Sequence, residues 1–403
     1  MQKTMCELFA GVGGFGLGFS RLQSGWQTVW FSQWEPNKTK QWAHECYVKH
    51  FGNFADENGE FHTNKDIAEV DKKTIPDHTL LVGGFPCQDY SVANSLPNSK
   101  GLEGQKGVLW WQIRDVIIAK KPPFCLFENV DRLLKSPARQ RGRDFGVMLS
   151  TLHHLGYFVE WRVINAAIYG AAQRRRRVFI FAYKKDTKYA NFVLNKKIEN
   201  LFLKDSLMAK AFAINKFEKI EICELDEDIK KNSDEFKFNF ENAGFMINNK
   251  IYTTKVTEKE EKPVNLEQIL EKNVSEKYYL DDAKLEKMSY LKGSKKINRK
   301  SKNGHEYVFS EGPVAFPDPL DKPARTMLTS ESTINRSTHV VCDPQTNRLR
   351  ILTPIETERL QGFDDNWTDN MSDRMRYFCM GNALVVPMIT RIGRELDTII
   401  EKE

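Results

Sequence analysis

The sequence lacks the features that would place it in a membrane or outside the cell. It has no apolar run of about 18 residues, the length that a helix needs to cross a bilayer, so we expect no membrane-spanning segment and no membrane partner. Residues 1–4 lead directly into an apolar stretch, without the layout of a signal peptide. We therefore predict a cytoplasmic protein.

Cysteine is scarce, and its spacing argues against two kinds of small-domain architecture. The seven cysteines are an odd number, no two of them have Cys-x-x-Cys spacing, and none is grouped with histidine. A disulfide framework and a structural zinc site are therefore not expected, and we predict no metal.

The chain also has little excess charge. Sixty Lys and Arg against 54 Asp and Glu give a net charge of +6 over 403 residues, which permits a nucleic-acid partner without requiring one. With 40% hydrophobic and 28% charged residues, the composition is that of an ordinary globular protein. The length allows two domains, or one large domain with an insertion.

The first half of the chain alternates short apolar runs with longer helical patterns, which is typical of a parallel α/β sheet. The candidate strands are residues 4–9, 28–32, 79–82, 124–128, 158–165 and 177–183. Residues 184–302 are rich in Lys, Glu and Asn and show no such rhythm, and a final amphipathic stretch follows Gly381. We predict one domain over residues 1–187, a second over residues 188–375, and a C-terminal return over residues 376–403 that completes the first.

A glycine-rich turn follows the first predicted strand. Gly11, Gly13 and Gly16 have the G-x-G-x-x-G spacing with which a backbone approaches a dinucleotide. Glu35 lies 22 positions after Gly13, where an acid that binds ribose hydroxyls is expected, and Asp66 could accept from an adenine amino group. Both acids could equally be solvated loop carboxylates, and a nicotinamide-dependent oxidoreductase would share this turn.

The stretch "GGFPCQDYS", residues 83–91, places a cysteine just after a buried strand. Ligands of open α/β sheets bind at the carboxyl ends of the strands, so Cys87 is placed like a reactive group. A thiol attacks only as the thiolate, which requires a positive environment; a buried structural thiol is the alternative. Another predicted strand ends with Glu128 and Asn129, which we expect at the same edge.

Four consecutive arginines follow Gln173 as the chain enters the last of these strands. Because side chains alternate along a strand, Arg175 and Arg177 would point to one face and Arg174 and Arg176 to the other. One pair could face the site at the carboxyl edge. An exposed basic patch is the alternative interpretation.

Taken in order, these segments resemble the motifs of DNA cytosine-5 methyltransferases of the bacterial restriction–modification type. The resemblance rests on residues 9–14 (FAGVGG), 84–88 (GFPCQ), 128–130 (ENV), 173–177 (QRRRR), 350–363 (RILTPIETERLQGF) and 381–383 (GNA). It leaves the region between residues 184 and 347 uncovered, where this family has its variable target-recognition domain. The implied fold is α/β: a Rossmann-like S-adenosylmethionine-dependent methyltransferase domain with a smaller, mixed target-recognition domain.

The resemblance implies a reaction and a role for each motif. Cys87 would attack carbon 6 of a cytosine flipped out of double-stranded DNA, and carbon 5 would then take the methyl group of S-adenosylmethionine, leaving S-adenosylhomocysteine. Glu128, with a pKa raised by burial, would protonate ring nitrogen 3. Arg177 and Arg175 would hold the carbonyl oxygen of the base, and Asn129 would fix the local backbone or the amino edge of the base.

The resemblance also implies a cofactor site. Phe9, Gly11 and Gly13 would hold the methionine part, and Glu35 would hold the ribose. Asp66 and Ile67 would bind the adenine. The walls of the site would be lined by Pro86, Leu109 and Asn382. The chain departs from many relatives because Pro36, rather than an apolar residue that stacks on adenine, follows Glu35, and Trp34 precedes it. Which side chain covers the adenine is therefore open. Ala383 replaces a serine found in several relatives.

DNA contacts are expected in three places. Residues 88–107 resemble the mobile catalytic loop of the family, with Gln88 and Ser91 as DNA contacts. The basic stretch at residues 139–143 could bind phosphates, although a solvated loop is as plausible. In the uncovered region, the candidates are Arg299, Lys300 and Arg325.

We expect a monomer that acts on double-stranded DNA, with a possible cognate restriction endonuclease acting on the same site. An RNA cytosine-5 methyltransferase is the main alternative, but the RNA-modifying branch has a shorter variable region and a Cys-Phe-Thr signature that this sequence lacks. A DNA-binding protein without catalysis is a further alternative, and the intact Cys87, Glu128 and Arg177 argue against it.

Overall fold

The apolar runs of the first half of the chain form strands. The computed structural model describes residues 1–85, 108–300 and 304–403. All six predicted strands are confirmed with small shifts of their ends: β1 (Thr4–Leu8), β2 (Gln27–Ser32), β3 (Leu80–Gly84), β4 (Phe124–Val130), β5 (Tyr157–Asn165) and β6 (Arg176–Lys184). Their side chains are almost entirely buried, as expected for strands covered on both faces.

These strands belong to a nine-stranded sheet that only partly matches the predicted parallel arrangement. Five further strands follow in the chain: β7 (Ile214–Phe217), β8 (Glu221–Glu224), β9 (Ala243–Ile247), β10 (Lys250–Thr254) and β11 (Val256–Glu258). The order in the large sheet is β2-β1-β3-β4-β6-β5-β9-β10-β8, and β7 pairs with β11 separately. The first four strands pair in parallel, whereas β6 runs antiparallel between β4 and β5, and β9, β10 and β8 continue antiparallel.

Helices accompany this sheet in the order α1 (Gly14–Ser20), α2 (Trp42–Phe51), α3 (Val108–Lys120), α4 (Arg143–His154), α5 (Lys188–Leu194), α6 (Ile198–Asn200), α7 (Leu207–Ala211) and α8 (Ile229–Glu235). Four more complete the chain: α9 (Asp282–Lys292), α10 (Pro354–Gln361), α11 (Asp373–Asn382) and α12 (Val386–Ile400). None of the helices in the described ranges is both long and apolar enough to cross a membrane.

The last helix, α12, packs on the first. Its buried face carries apolar residues at helical spacing, and Thr390 donates a hydrogen bond of 2.9 Å to the carbonyl oxygen of Gly18 in α1. A Cβ atom at Gly18 would lie 2.5 Å from Ile389, so only glycine allows this approach. The amphipathic stretch predicted after Gly381 thus forms helix α12, which packs on α1.

The chain divides into two compact units whose boundaries differ from the predicted ones. The first unit comprises Met1–Tyr169, Arg176–Glu261 and Leu384–Glu403, and the second comprises Gly170–Arg175 and Lys262–Ala383. Residues 188–261, predicted to belong to the second domain, lie in the first because β9 pairs with β5 and extends the large sheet. The Asn248-Asn249 turn between β9 and β10, with Asn248 at φ 55°, was the available hairpin signal.

The second unit contains a network of buried charges. It contains α9 to α11 and two ribbons, formed by β12 (Lys295–Lys300) with β13 (Glu306–Glu311) and by β14 (Val340–Cys342) with β15 (Leu349–Ile351). Arg350 is fully buried between Asp343 and Glu356, at 2.7 Å from each. Thr353 and Glu356 cap the N-terminus of α10 reciprocally. Leaving one of these charges unpaired would be strongly destabilising.

The pairing of β9 with β5 can be tested at Gly244. An ideal Cβ there would lie 2.1 Å from the Trp161 ring, so Gly244→Ala forces a buried indole to move. We expect the free energy of unfolding to fall by about 1–3 kcal/mol, measured by urea denaturation followed by tryptophan fluorescence. Gly312→Ala is the matched control, because no atom lies within 4 Å of its Cβ position. Equal denaturation midpoints for the two variants would contradict the close approach of β9 to Trp161.

Candidate active site

The parallel strands bring the ends of several motifs to one edge of the sheet. Leu8 of β1 lies beside Gly83 of β3, and Gly84 lies beside Glu128 of β4. The residues that follow, Phe9 and Phe85, therefore leave the sheet at the same edge. This is the edge at which open α/β sheets bind their ligands, as the sequence predicted.

Glu128 and Arg177 form an ion pair at this edge. Arg177 Nε lies 2.9 Å from Glu128 Oε1, and both side chains are mostly but not fully covered. The ion pair leaves that carboxylate oxygen without a hydrogen bond to any described residue. An ideal Cβ at Gly84 would stand 3.4 Å from the other oxygen, so glycine leaves room beside the carboxylate. The acid is thus held at this edge by its ion pair with Arg177.

Asn129 fixes the chain at the end of β3. Its buried side-chain amide donates a hydrogen bond of 2.7 Å to the carbonyl oxygen of Phe85, and its Oδ1 accepts one of 2.8 Å from the Val130 amide. Phe85 immediately precedes Pro86 and Cys87 in the sequence. Of the two roles expected for Asn129, the geometry supports fixing the backbone.

The arginine run alternates as predicted, but Arg175 has partners other than the expected base. Gln173 and Arg175 are buried, whereas Arg174 and Arg176 are exposed. The Arg175 guanidinium donates to the carbonyl oxygens of Met327 and Gly381 at 3.1 and 3.0 Å, within the second unit. These bonds make Arg175 a brace of main-chain segments, and its contact with the base stays a prediction.

The glycine-rich turn has an unusual backbone. Phe9 has φ 55°, a left-handed conformation that is uncommon for a bulky residue, and Gly11 and Gly13 have φ 57° and 86°. The Gly11 amide donates to Gln33 Oε1 at 2.7 Å, and the Gln33 amide donates to the Thr63 carbonyl at 2.8 Å. The side chain of Gln33 therefore anchors the turn, and its backbone is itself bonded to Thr63, a role that the sequence context of Gln33 did not indicate.

Glu35 is held in place by its own loop, and one of its carboxylate oxygens has no hydrogen bond to a described residue. Gln41 accepts a 2.7 Å hydrogen bond from the Glu35 amide and donates one of 2.9 Å to its carbonyl oxygen. Burial raises the pKa of the Glu35 carboxyl, an effect that the amides of Ala43 and Trp42 partly oppose. Glu35 Oε2 is buried without a hydrogen bond to a described residue, which suits a ligand hydroxyl. Beside it, the Trp34 side chain is 39% exposed.

The remaining predicted cofactor residues have distinct surroundings. Asp66 accepts a hydrogen bond of 3.0 Å from the Ala68 amide and caps a short helical turn, while Ile67 is buried in the core of the first unit. Leu109 is partly buried against the same core. Asn382 is the last residue of α11, in the second unit.

Glu7 is a buried acid that sequence reasoning missed. It lies in β1 and accepts hydrogen bonds from the Gly16 amide at 3.2 Å and from Tyr47 Oη at 3.0 Å, so it joins β1 to α1 and α2. Burial raises its pKa to about 8, against the opposing effect of the Tyr47 and Gly16 hydrogen bonds. The signal was present in the sequence as one acid inside an apolar strand.

Several predicted residues fall in the range 86–107, which lies outside the described residues. They are Pro86, Cys87, Gln88 and Ser91, and the expected catalytic loop lies there as well. Within the ranges that the structure does describe, no group of three or more His, Cys, Asp or Glu residues could hold a metal ion.

The three predicted recognition residues differ in their surroundings. Arg299 and Lys300 are exposed on the β12–β13 ribbon, where the Arg299 guanidinium stacks 3.8 Å from the Phe309 ring centroid. Arg325 instead forms an ion pair with buried Asp318 at 2.7 Å and donates to the Ser337 carbonyl at 3.1 Å. Its guanidinium is therefore engaged inside the second unit.

Comparison with known proteins extends the sequence resemblance over almost the whole chain. The profile of the C-5 cytosine-specific DNA methylase family matches residues 3–398. The chain is 52% identical over 399 residues to the type II methyltransferase M.Sau3AI of Staphylococcus aureus, covering 98% of this chain and 95% of that protein. It is 27% identical to M.SsoII of Shigella sonnei over 401 residues, covering 99% of this chain and 81% of that protein.

Solved structures share the fold at low sequence identity. The Entamoeba histolytica methyltransferase EhMeth aligns with a TM-score of 0.59 and 17% identity, over 98% of each chain. The S. pombe Dnmt2 methyltransferase aligns with the same TM-score of 0.59 at 13% identity, over 99% of this chain and 98% of that one. The predicted α/β methyltransferase fold is therefore confirmed.

The buried acid in β1 predicts a pH dependence of stability. The pKa of Glu7 is about 8 in the folded protein and about 4.5 in the unfolded chain. The protonated carboxyl therefore contributes fully to the stability of the fold below pH 4.5, and this contribution is lost as the pH rises toward 8. We expect this residue to lower the free energy of unfolding by up to about 1.4 kcal/mol per pH unit in that window. Urea denaturation from pH 5 to 9 should show a shallower slope for Glu7→Gln than for the unchanged protein.

The control is Glu45→Gln, which neutralises an exposed acid of α2 and should leave the slope unchanged. Parallel pH profiles for the unchanged protein and Glu7→Gln would contradict a protonated Glu7 in the folded state.

Proposed function

The chain belongs to the C-5 cytosine-specific DNA methylase family and is a DNA (cytosine-5-)-methyltransferase, and from that premise we propose the substrate, the cofactor and the residues of its reaction. It transfers the methyl group of S-adenosylmethionine to carbon 5 of a cytosine flipped out of a specific double-stranded DNA sequence. The observation that carries this proposal is the Glu128–Arg177 ion pair at the edge of the sheet where β3 leads into Cys87, with Asn129 bonded to Phe85.

In the proposed reaction, the Cys87 thiolate forms a bond to carbon 6 of the cytosine and makes carbon 5 nucleophilic. S-Adenosylmethionine supplies the methyl group to carbon 5 and leaves as S-adenosylhomocysteine. Ring nitrogen 3 then returns its proton to Glu128, water takes the proton on carbon 5, and the thiolate departs, which restores the ring. Glu128 delivers a proton to ring nitrogen 3, and Arg177 donates to the carbonyl oxygen of the base. A base entering beside the ion pair would share Arg177 with Glu128, whose Oε1 has no hydrogen bond within the described part of the chain.

Two residues act as positioning residues in this proposal. Asn129 holds the Phe85 carbonyl, and therefore the start of the segment that carries Cys87. Arg175 braces the main chain at Met327 and Gly381. Neither needs to contact the base.

The proposed cofactor site lies at the carboxyl ends of the first strands. The turn at Phe9, Gly11 and Gly13 surrounds the methionine part, and the open oxygen of Glu35 accepts from the ribose hydroxyls. Asp66 and Ile67 would bind the adenine, and the further residues proposed to contact the cofactor are Pro86, Leu109 and Asn382. Because Trp34 is an exposed aromatic residue next to Glu35, it is the side chain proposed to cover the adenine.

Sequence recognition is assigned to the second unit and the catalytic loop. The major groove admits a two-stranded β-ribbon, and the β12–β13 ribbon carries Arg299 and Lys300 on its exposed surface. Gln88 and Ser91 are proposed as further DNA contacts. Arg325 pairs with buried Asp318 inside the second unit, so we propose a structural role for it instead of a contact with bases.

The biological role proposed is protection of host DNA from a cognate restriction endonuclease, which the type II names of the relatives favour. The enzyme acts as a cytoplasmic monomer, since one flipped base needs one site. Bisulfite sequencing of plasmid DNA from cells that express the chain, beside a Cys87→Ala version, tests the reaction. Protection of cytosines in one short sequence context, lost in the variant, is expected; methyl transfer to RNA alone would refute the proposal.

The role of Glu128 gives a sharper kinetic prediction. Glu128→Gln removes the transferable proton but keeps the shape of the side chain, so kcat should fall by about 10²–10⁴-fold while DNA affinity changes little. Single-turnover methylation with labelled S-adenosylmethionine measures this. Asp131→Asn is the control, because Asp131 is a nearby exposed acid that also pairs with an arginine, Arg176. A similar loss of activity in both variants would refute proton transfer by Glu128.

A further inference from the structure

A cluster of exposed positive charges follows Glu128 in the chain. The four side chains lie between β4 and α4, they are all exposed, and we call them the basic turn: Arg132, Lys135, Arg139 and Arg141. Within residues 1–85, 108–300 and 304–403, none of them forms an ion pair. The acids next to them in sequence are engaged elsewhere, since Asp131 pairs with Arg176 and buried Asp144 pairs with Arg143. The basic turn therefore presents four charges that form no ion pair within the described residues.

The backbone of the basic turn is fixed by hydrogen bonds to the segment between β8 and β9. Gln140, which lies between Arg139 and Arg141 in the sequence, donates from its side chain to the carbonyl oxygens of Ser233 and Phe236 at 3.1 and 3.0 Å. The Arg141 carbonyl accepts a hydrogen bond of 3.0 Å from the Phe238 amide. Gly142 has φ 83°, and a Cβ there would lie 2.2 Å from the Phe238 carbonyl oxygen, so the turn requires glycine.

The two ends of the turn are also joined. Ser136 Oγ donates to Asp144 Oδ2 at 2.5 Å, and the Asp144 amide donates to the Ser136 carbonyl at 3.2 Å. Arg143, which the sequence grouped with the phosphate-contacting stretch, belongs to this internal network through Asp144. The residues between are thus held in one conformation, and Arg139 and Arg141 project from it into solvent.

Such a surface fits a regular array of phosphates. Duplex DNA carries about one negative charge per 1.7 Å of helix axis, and guanidinium groups bind phosphate oxygens in pairs. A turn that is already ordered binds without the entropic cost of ordering a loop. The turn also begins at the end of β4, directly after Glu128 and Asn129, so DNA that delivers a base to that edge passes close to it.

We propose that the basic turn binds the phosphates of the DNA that flanks the target cytosine, and so sets affinity without taking part in chemistry or in sequence choice. The inference rests on the proposed function, because it assumes that the substrate is duplex DNA. It adds a second DNA-binding surface, located in the first unit, to the recognition elements of the second.

The test is the double variant Arg139→Ala/Arg141→Ala in the complete chain. Each phosphate contact contributes about 0.9 to the slope of log K against log salt concentration, so this slope should become shallower by about 1–2. KM for DNA should rise, whereas kcat at saturating DNA and the methylated sequence should stay the same. Equilibrium binding to a duplex between 50 and 200 mM salt, with methylation kinetics, measures all of these.

Two further variants separate a phosphate site from a change in total charge or a folding defect. Lys204→Ala/Lys216→Ala removes two exposed charges elsewhere in the first unit and should leave the salt slope unchanged. Arg139→Lys/Arg141→Lys keeps the charges and should recover most of the slope. An equal effect of the Lys204/Lys216 variant, or a fall of kcat without a rise of KM, would overturn the inference.

A loss of RNA affinity without a loss of DNA affinity would overturn it as well. Failure of the proposed function would look different, because the unchanged protein itself would then leave no protected cytosine in plasmid DNA. If the unchanged protein methylates DNA but the Arg139/Arg141 variant keeps its full salt slope, only the inference about the basic turn is refuted.

Discussion

The register between β3 and β4 is the constraint on which the candidate active site depends. It sets Gly84 beside Glu128, and the missing side chain at Gly84 leaves space beside the carboxylate. Because successive side chains of a strand point to opposite faces, Asn129 turns inward and can hold the Phe85 carbonyl. A shift of one residue would bury Glu128 and expose Asn129. One pairing thus presents the acid and fixes the chain that enters Cys87.

The arginines show how charge is divided between structure and function. Arg350 and Arg325 are committed to buried carboxylates, and Arg175 is committed to main-chain carbonyls. Removing such partners would leave a buried charge unpaired, so these groups cannot exchange partners cheaply. Arg177 differs, because it and its carboxylate partner Glu128 are both partly exposed. Groups that can gain a partner without losing an internal one are the ones suited to bind a substrate.

The sequence predicted the six strands and the edge at which Gly84 and Glu128 meet, because buried parallel strands appear as apolar runs and their carboxyl ends coincide. It did not predict that residues 243–254 extend the sheet, since these strands are short and lie in a polar region. It also could not separate Arg175 from Arg177. Alternation along a strand says which side chains share a face, but their hydrogen-bonding partners are set by segments distant in the sequence.

The segment between β8 and β9 supports the basic turn. The sequence grouped it with a variable recognition region, yet Ser233, Phe236 and Phe238 fix the backbone of the turn that carries Arg139 and Arg141. A surface that binds phosphates is indifferent to base sequence, so it can remain constant while the elements that read bases change. Under the proposed assignment, with phosphate contacts in the first unit and base contacts in the second, specificity can vary without disturbing the scaffold that holds Glu128 in position.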